Sequence, residues 1–587
     1  MANIFNSIPL SAPKRNAFPL NHQVKLTCEM GNLVPIFCEP TIPGDRFKVS
    51  TEQLVRFAPL QSPIMSDIDV YVHFFFVPNR LLWNNWETFI TGSQNGKKLN
   101  DADVPTPPFS QIHPSVAVTP IDTTLDGVGI GSFSYPFPQS RGILQNGNLA
   151  DYLGFQTYAS APANGSATYP LDELPFRAYQ RIWFDYYRDE NLSDVETFED
   201  LFTEHDGDVQ INTALAVRGA AGLFNLRQRA WRKDYFTSAL PFAQAGDDVL
   251  IPGTGSNSSN LSLSRVGSKG LDFDSWTNGV VYYDSATPQA FTAQGLEGNI
   301  DISNGTFLNI ANRNSPLASD IFSLNLDNFK IGGDSSVSEG TIRELRRAFA
   351  AQAFLERRAV GGTRYNEQIL AFFGVRTSDG RLQRAQWLGG SKQPVVVSQV
   401  LQTSQTTTSG DDASPLGQPG GVAVSAGGRY IFDREFEEYG FIMGIMSIMP
   451  KATYMQGIPR KYLKRDVYDY YWPQFARIGE QDIKNEELFF SFTSAKNDET
   501  FGYTPRYAEY RFINSRVHGD FKDTLDFWHL GRDFNSSPSL NESFITCRPS
   551  TRIFAYENSD FNNLWVDCHI NCTAIRPIPK YAEAGPI

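Results

Sequence analysis

Across residues 67–77 the positions Ile68, Val70, Val72, Phe74 and Phe76 are apolar, while the alternate face opens with Asp67 and Asp69. A repeat of two is that of a β-strand. From Phe75 and Val77 the second face turns apolar as well, which predicts a strand that starts half exposed and ends between packed layers. Pro78 cannot donate to a ladder and closes it. Directly afterwards Leu82, Trp83, Trp86, Phe89 and Ile90 fall at helical spacing, predicting a short amphipathic helix over the strand end. These side chains read as core packing, without chemistry of their own.

The same reading along the rest of the chain predicts short strands at 24–28 and 33–38 about Gly31-Asn32, a turn at Pro43-Gly44 and a strand through Phe47 and Val49. Residues 1–21 are punctuated by proline and have no period, so they form an extended arm that must dock to be ordered. Asp172 and Pro175 open a helix with Tyr179, Ile182, Trp183 and Tyr186 as its apolar stripe. Residues 245–338 are dominated by Gly, Ser, Asn, Thr and Asp, with isolated strands at 279–283 and 322–326. A structureless loop of that length does not suit a compact domain, so a surface insertion with its own small β structure is expected. At Thr341 the pattern returns to helix: Thr341-x-x-Glu344 is a capping box, Ile342, Leu345, Phe349 and Ala353 share a face, and Gly361 follows the end. From 366 onward the pattern reads as β, at 369–375, 394–401 and 440–449, with a loop over 403–421. The chain divides into an arm (1–21), a β core in two parts (22–244 and 339–587) and the insertion (245–338).

At 587 residues the chain is too long for one simple core. Its 41% hydrophobic and 13% aromatic content is that of an ordered globular protein. The net charge of −13 does not suit a protein that coats nucleic acid by itself. Charge is nevertheless segregated, with eleven acidic against four basic residues over 240–340 and ten basic against four acidic over 341–392. Arg343, Arg346, Arg347, Arg357 and Arg358 decorate the expected helix as candidates to face nucleic acid or acidic neighbours; a solvated helix face is the commoner use of such residues. Five cysteines clustered near the termini make no disulfide framework. With neither a basic, then apolar leader nor an apolar run near the ~18 residues of a membrane span, synthesis and folding in a cytoplasm without membrane insertion are expected.

Three clusters resemble chemistry. Gly127-Val128-Gly129-Ile130-Gly131 lacks the helix and the acidic partner of a dinucleotide loop. Asp433, Glu435 and Glu437 share a strand face, as paired carboxylates of a glycosidase or calcium site do, but acids on a wet strand face are commoner. Cys568-His569-x-x-Cys572 with Cys547 offers zinc-ligand types at no finger or ribbon spacing, and on a strand His569 would point away from both cysteines. No catalytic residue, metal or cofactor is expected. A β-sandwich carbohydrate-binding protein or glycosidase of secreted type is the rival reading, motivated by abundant Trp, Tyr and acids; it predicts a monomer or small oligomer.

The runs His73-Phe74-Phe75-Phe76-Val77-Pro78-Asn79-Arg80-Leu81-Leu82-Trp83, Asp234-Tyr235-Phe236-Thr237-Ser238-Ala239-Leu240-Pro241, Gly361-Gly362-Thr363-Arg364-Tyr365, Tyr470-Tyr471-Trp472-Pro473 and Arg576-Pro577-Ile578-Pro579, in this order, resemble the major capsid proteins of microviruses, small single-stranded DNA bacteriophages. The gokushovirus branch is the closer likeness. The resemblance implies a mainly β protein, an eight-stranded antiparallel jelly roll with very long inter-strand insertions containing short helices. It also implies a homo-oligomer of sixty copies closing an icosahedral shell, assembled in a bacterial cytoplasm and forming the capsid of the virion. Packaged single-stranded DNA, a small basic DNA-binding virion protein and a host cell-surface receptor are the implied partners. By position, residues 245–338 match a protrusion at the three-fold axes, which makes Trp276, Tyr282 and Tyr283 candidate host contacts.

Overall fold

The computed structural model describes residues 14–91, 104–112, 143–159, 168–211 except 194 and 196, 222–249 except 248, 342–401, 419–492, 495–555 and 562–581, with seven short strands between 262 and 332. Ten strands make two main antiparallel sheets: β1 (Asn16–Pro19), β2 (His22–Cys28), β3 (Val34–Thr41), β4 (Asp45–Phe57), β5 (Ile68–Pro78), β6 (Gln386–Pro394), β7 (Val396–Leu401), β8 (Pro419–Phe436), β9 (Gly440–Pro450) and β10 (Leu564–Arg576). One sheet has the order β6-β5-β9-β3; in the other β10, β4, β8 and β7 are successive neighbours, and both β1 and β2 lie along the free side of β10. Apart from β7 and β8, strands adjacent in one sheet are far apart in sequence, and the chain passes repeatedly between the sheets, which is the jelly-roll arrangement.

The strand count departs from eight for two local reasons. β1 and β2 are one edge strand interrupted at Leu20-Asn21: the Leu20 N–H still donates to the Cys572 carbonyl at 2.8 Å, while the Asn21 side chain takes the Cys572 N–H at 2.9 Å. β6 and β7 form one run that changes sheet at Val395, whose N–H donates to the Ile68 carbonyl at 2.8 Å.

β5 lies between β6 and β9, with Phe74 opposite Gly444. Its two faces serve two cores. Val70, Val72, Phe74 and Phe76 enter the sandwich with Phe47 and Val49 of β4 and with Ile570 and Cys572 of β10. Phe75 and Val77 point the other way, under Leu82, Trp83, Phe176, Tyr179 and Ile182. β4 instead alternates buried and exposed positions along its length, as a sheet wet on one face does. The turn from β2 to β3 is fixed by Gly31 at φ +87°, where a Cβ would lie 2.0 Å from the Cys547 carbonyl oxygen. Only glycine fits that position.

The rim after β5 is less regular than its spacing predicts. Asn79–Leu81 form a 3-10 turn and α1 (Trp86–Thr91) is six residues long. Asn84 and Asn85 between them bond outward to Glu204 and Asp206, which interrupts the helix. The second rim helix, α2 (Leu174–Ile182), is covered almost throughout and rests on a buried network. Glu173 there accepts from Arg177 at 2.9 Å, from His205 at 2.8 Å and from Ser110. Burial pushes the Glu173 carboxyl up, but the hydrogen bond from His205, the Arg177 guanidinium and the hydrogen bond from Ser110 together hold it below the ordinary range. Burying a charge is tolerated on such terms only.

Two helices follow the insertion. α3 (Ile342–Gly361) is twenty residues long, not short. α4 (Tyr365–Phe373) occupies much of the 369–375 stretch read above as a strand. A short apolar run is ambiguous between the two periods, and here Glu367 in the first turn and Gly374 at φ +70° after the last mark a helix. The backbone divides into two compact units, residues 1–246 with 355–587, and Asp247–Phe354. In the second unit the strands form small antiparallel sheets, pairing Phe273–Asp274 with Tyr282–Tyr283, Phe307–Ile310 with both Ile300–Asp301 and Phe322–Asn325, and Ser262–Arg265 with Phe329–Gly332.

Candidate assembly and nucleic-acid surfaces

Between β9 and β10 the chain builds a separate small core from Ile483, Leu488, Phe501 and Phe544, joined by Tyr235 and Phe236. Strand Glu480–Lys484 pairs with Thr500–Pro505 in this region. Asp234 accepts from the N–H groups of Phe236 and Thr237, and its other oxygen takes the Tyr454 hydroxyl at 2.7 Å. Glu487 is buried and receives the Tyr235 hydroxyl at 2.8 Å and Arg460 at 2.9 Å. The Asp234 to Pro241 block thus acts as an anchor for the later insertion.

On this base stands a surface of exposed rings. Tyr507 is itself buried, in the left-handed region at φ +62°. Its N–H donates to Gln481 at 3.0 Å, its hydroxyl donates to the Tyr470 carbonyl at 3.0 Å, and the Trp472 N–H donates to that hydroxyl at 3.3 Å. One buried side chain therefore fixes the backbone of the loop from both sides. Held this way, Tyr468, Tyr470, Tyr471 and Trp472 are exposed, Tyr471 by 52%. The Tyr471 ring lies 5.1 Å from Tyr507 and 6.1 Å from Tyr510, and the Lys464 ammonium sits 4.0 Å over Tyr510 and 5.2 Å over Tyr470. Phe512 and Ile513 continue the exposed surface, at 61% and 86%. A monomer rarely keeps so much apolar area in water.

The five arginines lie on α3, Arg343, Arg346 and Arg347 in the part within the second unit and Arg357 and Arg358 in the part within the first. At 100° per residue Arg343, Arg346 and Arg347 fall within about 100° of one another around the helix. All five are exposed. Arg357 is the engaged one, donating to the Ala371 carbonyl at 2.6 Å and lying 5.3 Å over Phe372. The apolar set Ile342, Leu345 and Phe349 on the same helix is exposed too.

Of the candidate host contacts, Trp276 lies outside the described residues, and Tyr282 and Tyr283 form a two-residue strand. The stretch 127–131 also lies outside them. Asp433 is taken up by Arg46 at 2.6 Å and Lys48 at 3.6 Å, and Glu435 by Arg15. The Arg46 hydrogen bond keeps the Asp433 carboxyl below its ordinary range. These acids are the wet face of β8. Cys568 and Cys572 point into the sandwich, where burial pushes both thiols up to about 12, and His569 is on the opposite, exposed face of β10. Cys547 packs elsewhere, with Tyr71, Trp231 and Met449. Among the described residues no group of three or more His, Cys, Asp or Glu is placed to hold a metal. Sequence reasoning missed the exposure of the Tyr468 to Trp472 rings; the one signal for it was a dense aromatic run with no period of two or 3.6.

The family model for the capsid protein (F protein) matches residues 6–130 and 136–586. Capsid protein VP1 of Chlamydia phage 1 is 35% identical over 622 residues, covering all of this chain and 98% of that one. Capsid protein VP1 of Bdellovibrio phage phiMH2K is 30% identical over 98% of this chain and 96% of its own length. For Spiroplasma virus 4 the figures are 27%, 97% and 95%. These relatives are structural proteins of microviruses and not enzymes, which sets the carbohydrate reading aside. The jelly roll, its long insertions and the end-to-end match together place this chain in the F-protein family of phage capsid proteins.

Proposed function

We propose that sixty copies of this chain close an icosahedral shell around a circular single-stranded DNA genome, as a gokushovirus-like major capsid protein made and assembled in a bacterial cytoplasm. The observation that carries the reading is the full-length likeness to phage capsid proteins on a jelly-roll fold. Surfaces such as 468–472 with 510–513 support it, because they need covering by a neighbour. The net charge of −13 calls for a small basic protein to accompany the DNA. The arginine stripe of α3 adds a salt-sensitive hold on the genome. Residues 245–338 serve as the surface protrusion that meets a host receptor, with Trp276, Tyr282 and Tyr283 as its candidate contacts.

Expression with the basic partner and the genome, followed by sedimentation, negative-stain imaging and assay of nuclease-protected DNA, tests this. Closed particles of uniform size carrying DNA are expected. Deleting residues 250–335 should leave particles but abolish adsorption to host cells, and reversing Arg343, Arg346 and Arg347 to Glu should lower DNA content without loss of shells. Small soluble oligomers as the sole product of the intact chain would sink the reading.

A further inference from the structure

The surface carried by Tyr468, Tyr470, Tyr471, Trp472, Phe512 and Ile513 is exposed in the single chain although its backbone is held from beneath by Tyr507. We infer that this surface is a contact between copies of the chain, and that its occupant is the acidic general surface of an adjacent copy. The inference rests on the shell-forming reading above and names one place where shell subunits touch.

Three observations choose that occupant. The first is composition: Tyr and Trp with Arg are what protein interfaces concentrate, and at Ile513 and Phe512 the surface ends in aliphatic and phenyl groups that offer nothing to a phosphate. The second is charge. In the stretches 461–477 and 506–513, Lys461, Arg465, Arg477 and Arg511 are exposed and form no ion pair among the described residues, against one exposed acid, Asp466, while the whole chain carries −13. A local cationic surface on an acidic protein is drawn to other copies of that protein. The third is size. Exposed rings and aliphatic side chains of this kind contribute on the order of 100 Å² each, so the six, together with the exposed Val467 and Tyr510 of the same stretches, reach roughly the 800 Å² that each partner gives to a stable interface.

Rigidity adds to the argument. A loop fixed by Tyr507, with Lys464 set over two of the rings, does not have to be ordered when the neighbour arrives. Less side-chain freedom is then lost on association. Single-stranded DNA would also stack on tyrosines and a tryptophan, and the experiment separates the two occupants.

Side-chain oxidation of the intact chain, read residue by residue in unassembled subunits and in particles, is the direct measurement. Modification of Tyr468, Tyr471, Trp472 and Ile513 should fall at least fivefold on assembly, equally in empty and DNA-filled particles. The paired variant Tyr468→Asp with Ile513→Asp should lower particle yield at least tenfold while the melting temperature of the free subunit stays within a degree or two. Oxidation unchanged by assembly overturns the inference, as do wild-type yields from the variant. Protection in filled particles alone assigns the surface to DNA and overturns it too. Absence of particles from the wild-type chain would strike the shell-forming reading itself, a result distinct from these.

Discussion

Two regions of this protein are rich in aromatic side chains and use them in opposite ways. In β5 the rings of Phe74, Phe75 and Phe76 are buried, the first and third inside the sandwich and the second under the α2 layer. In the segment between β9 and β10 the rings of Tyr468, Tyr470, Tyr471 and Trp472 face water. The contrast lies in what sets their direction. A strand paired on both sides has no freedom, so alternation alone assigns each ring to a face. The later loop has no repeating ladder, and side chains hold it: Tyr507 bonds to Tyr470 and Trp472, Arg506 to the Tyr468 carbonyl and the Trp472 indole to the Val467 carbonyl. The first arrangement makes a core; the second leaves its rings in water.

The strongest way to break this comparison is to truncate one ring in each region. Phe74 is fully buried, with Phe37 at 5.7 Å and Phe432 at 5.8 Å. Phe74→Ala should cost about 3–5 kcal/mol through the lost transfer energy and the cavity left behind. Tyr470→Ala, at an exposed position, should cost less than about 0.5 kcal/mol. Urea unfolding of the unassembled subunit measures both. Equal costs would mean that the exposed rings belong to the subunit's own stability.

A second, smaller effect tests the support under the exposed rings through pH. Glu480, beside the Gln481 that receives the Tyr507 N–H, has a carboxyl raised to about 7 by burial and then by the charge of Glu356, with Arg511 opposing. The Glu356 carboxyl carbon lies 3.0 Å from where a Cβ on Gly479 would sit, so the two acids share a small space. A carboxyl whose folded value exceeds its unfolded value binds more protons when folded. Its stabilisation is complete below about 4.5 and is lost as pH rises through about 7. Because the group is partly open to solvent, about 1–2 kcal/mol is the expected size. Thermal melts from pH 5 to 8 should show the decline, and Glu480→Gln should flatten it. A decline of equal size in that variant would place its origin elsewhere.

The legibility of the chain follows the same division. β5 is readable because the period of two at its start survives between its strand neighbours β6 and β9, and the direction of His569 away from Cys568 and Cys572 follows from the same period in β10. The 369–375 stretch is not readable by period, since a short apolar run fits either repeat and the signals that mark the helix are its ends at Glu367 and Gly374. α1 fails for a different reason: Asn84 and Asn85 find partners at Glu204 and Asp206, over a hundred positions later. The arginines of α3 are legible as residues of a helix that opens at Thr341-x-x-Glu344, whereas the exposed rings at 468–472 are not, because their exposure depends on contacts with Tyr507 and Arg506. The jelly roll is legible in the sequence only as what the resemblance of the ordered blocks implies; strand periods by themselves give strands but not their order.

The finest test removes a single oxygen. Tyr507→Phe keeps the buried ring and its place against Tyr471 at 5.1 Å, but it loses both the donation to the Tyr470 carbonyl and the acceptance from the Trp472 N–H. The global cost should be about 1 kcal/mol, since the freed backbone groups lie near the surface and water replaces part of what is lost. The local cost should be larger relative to what the loop has, because no ladder backs it up. Hydrogen exchange should quicken at Trp472, several-fold, while amides of β5 and β9 keep their protection. If the exposed rings work by being held in place, assembly of this variant should slow or require a higher subunit concentration even though nothing on the contacting surface has changed. An assembly threshold equal to that of the intact chain, with exchange at Trp472 quickened, would show that the neighbouring copy can order the loop itself, and the difference between the two aromatic regions would then be one of exposure alone.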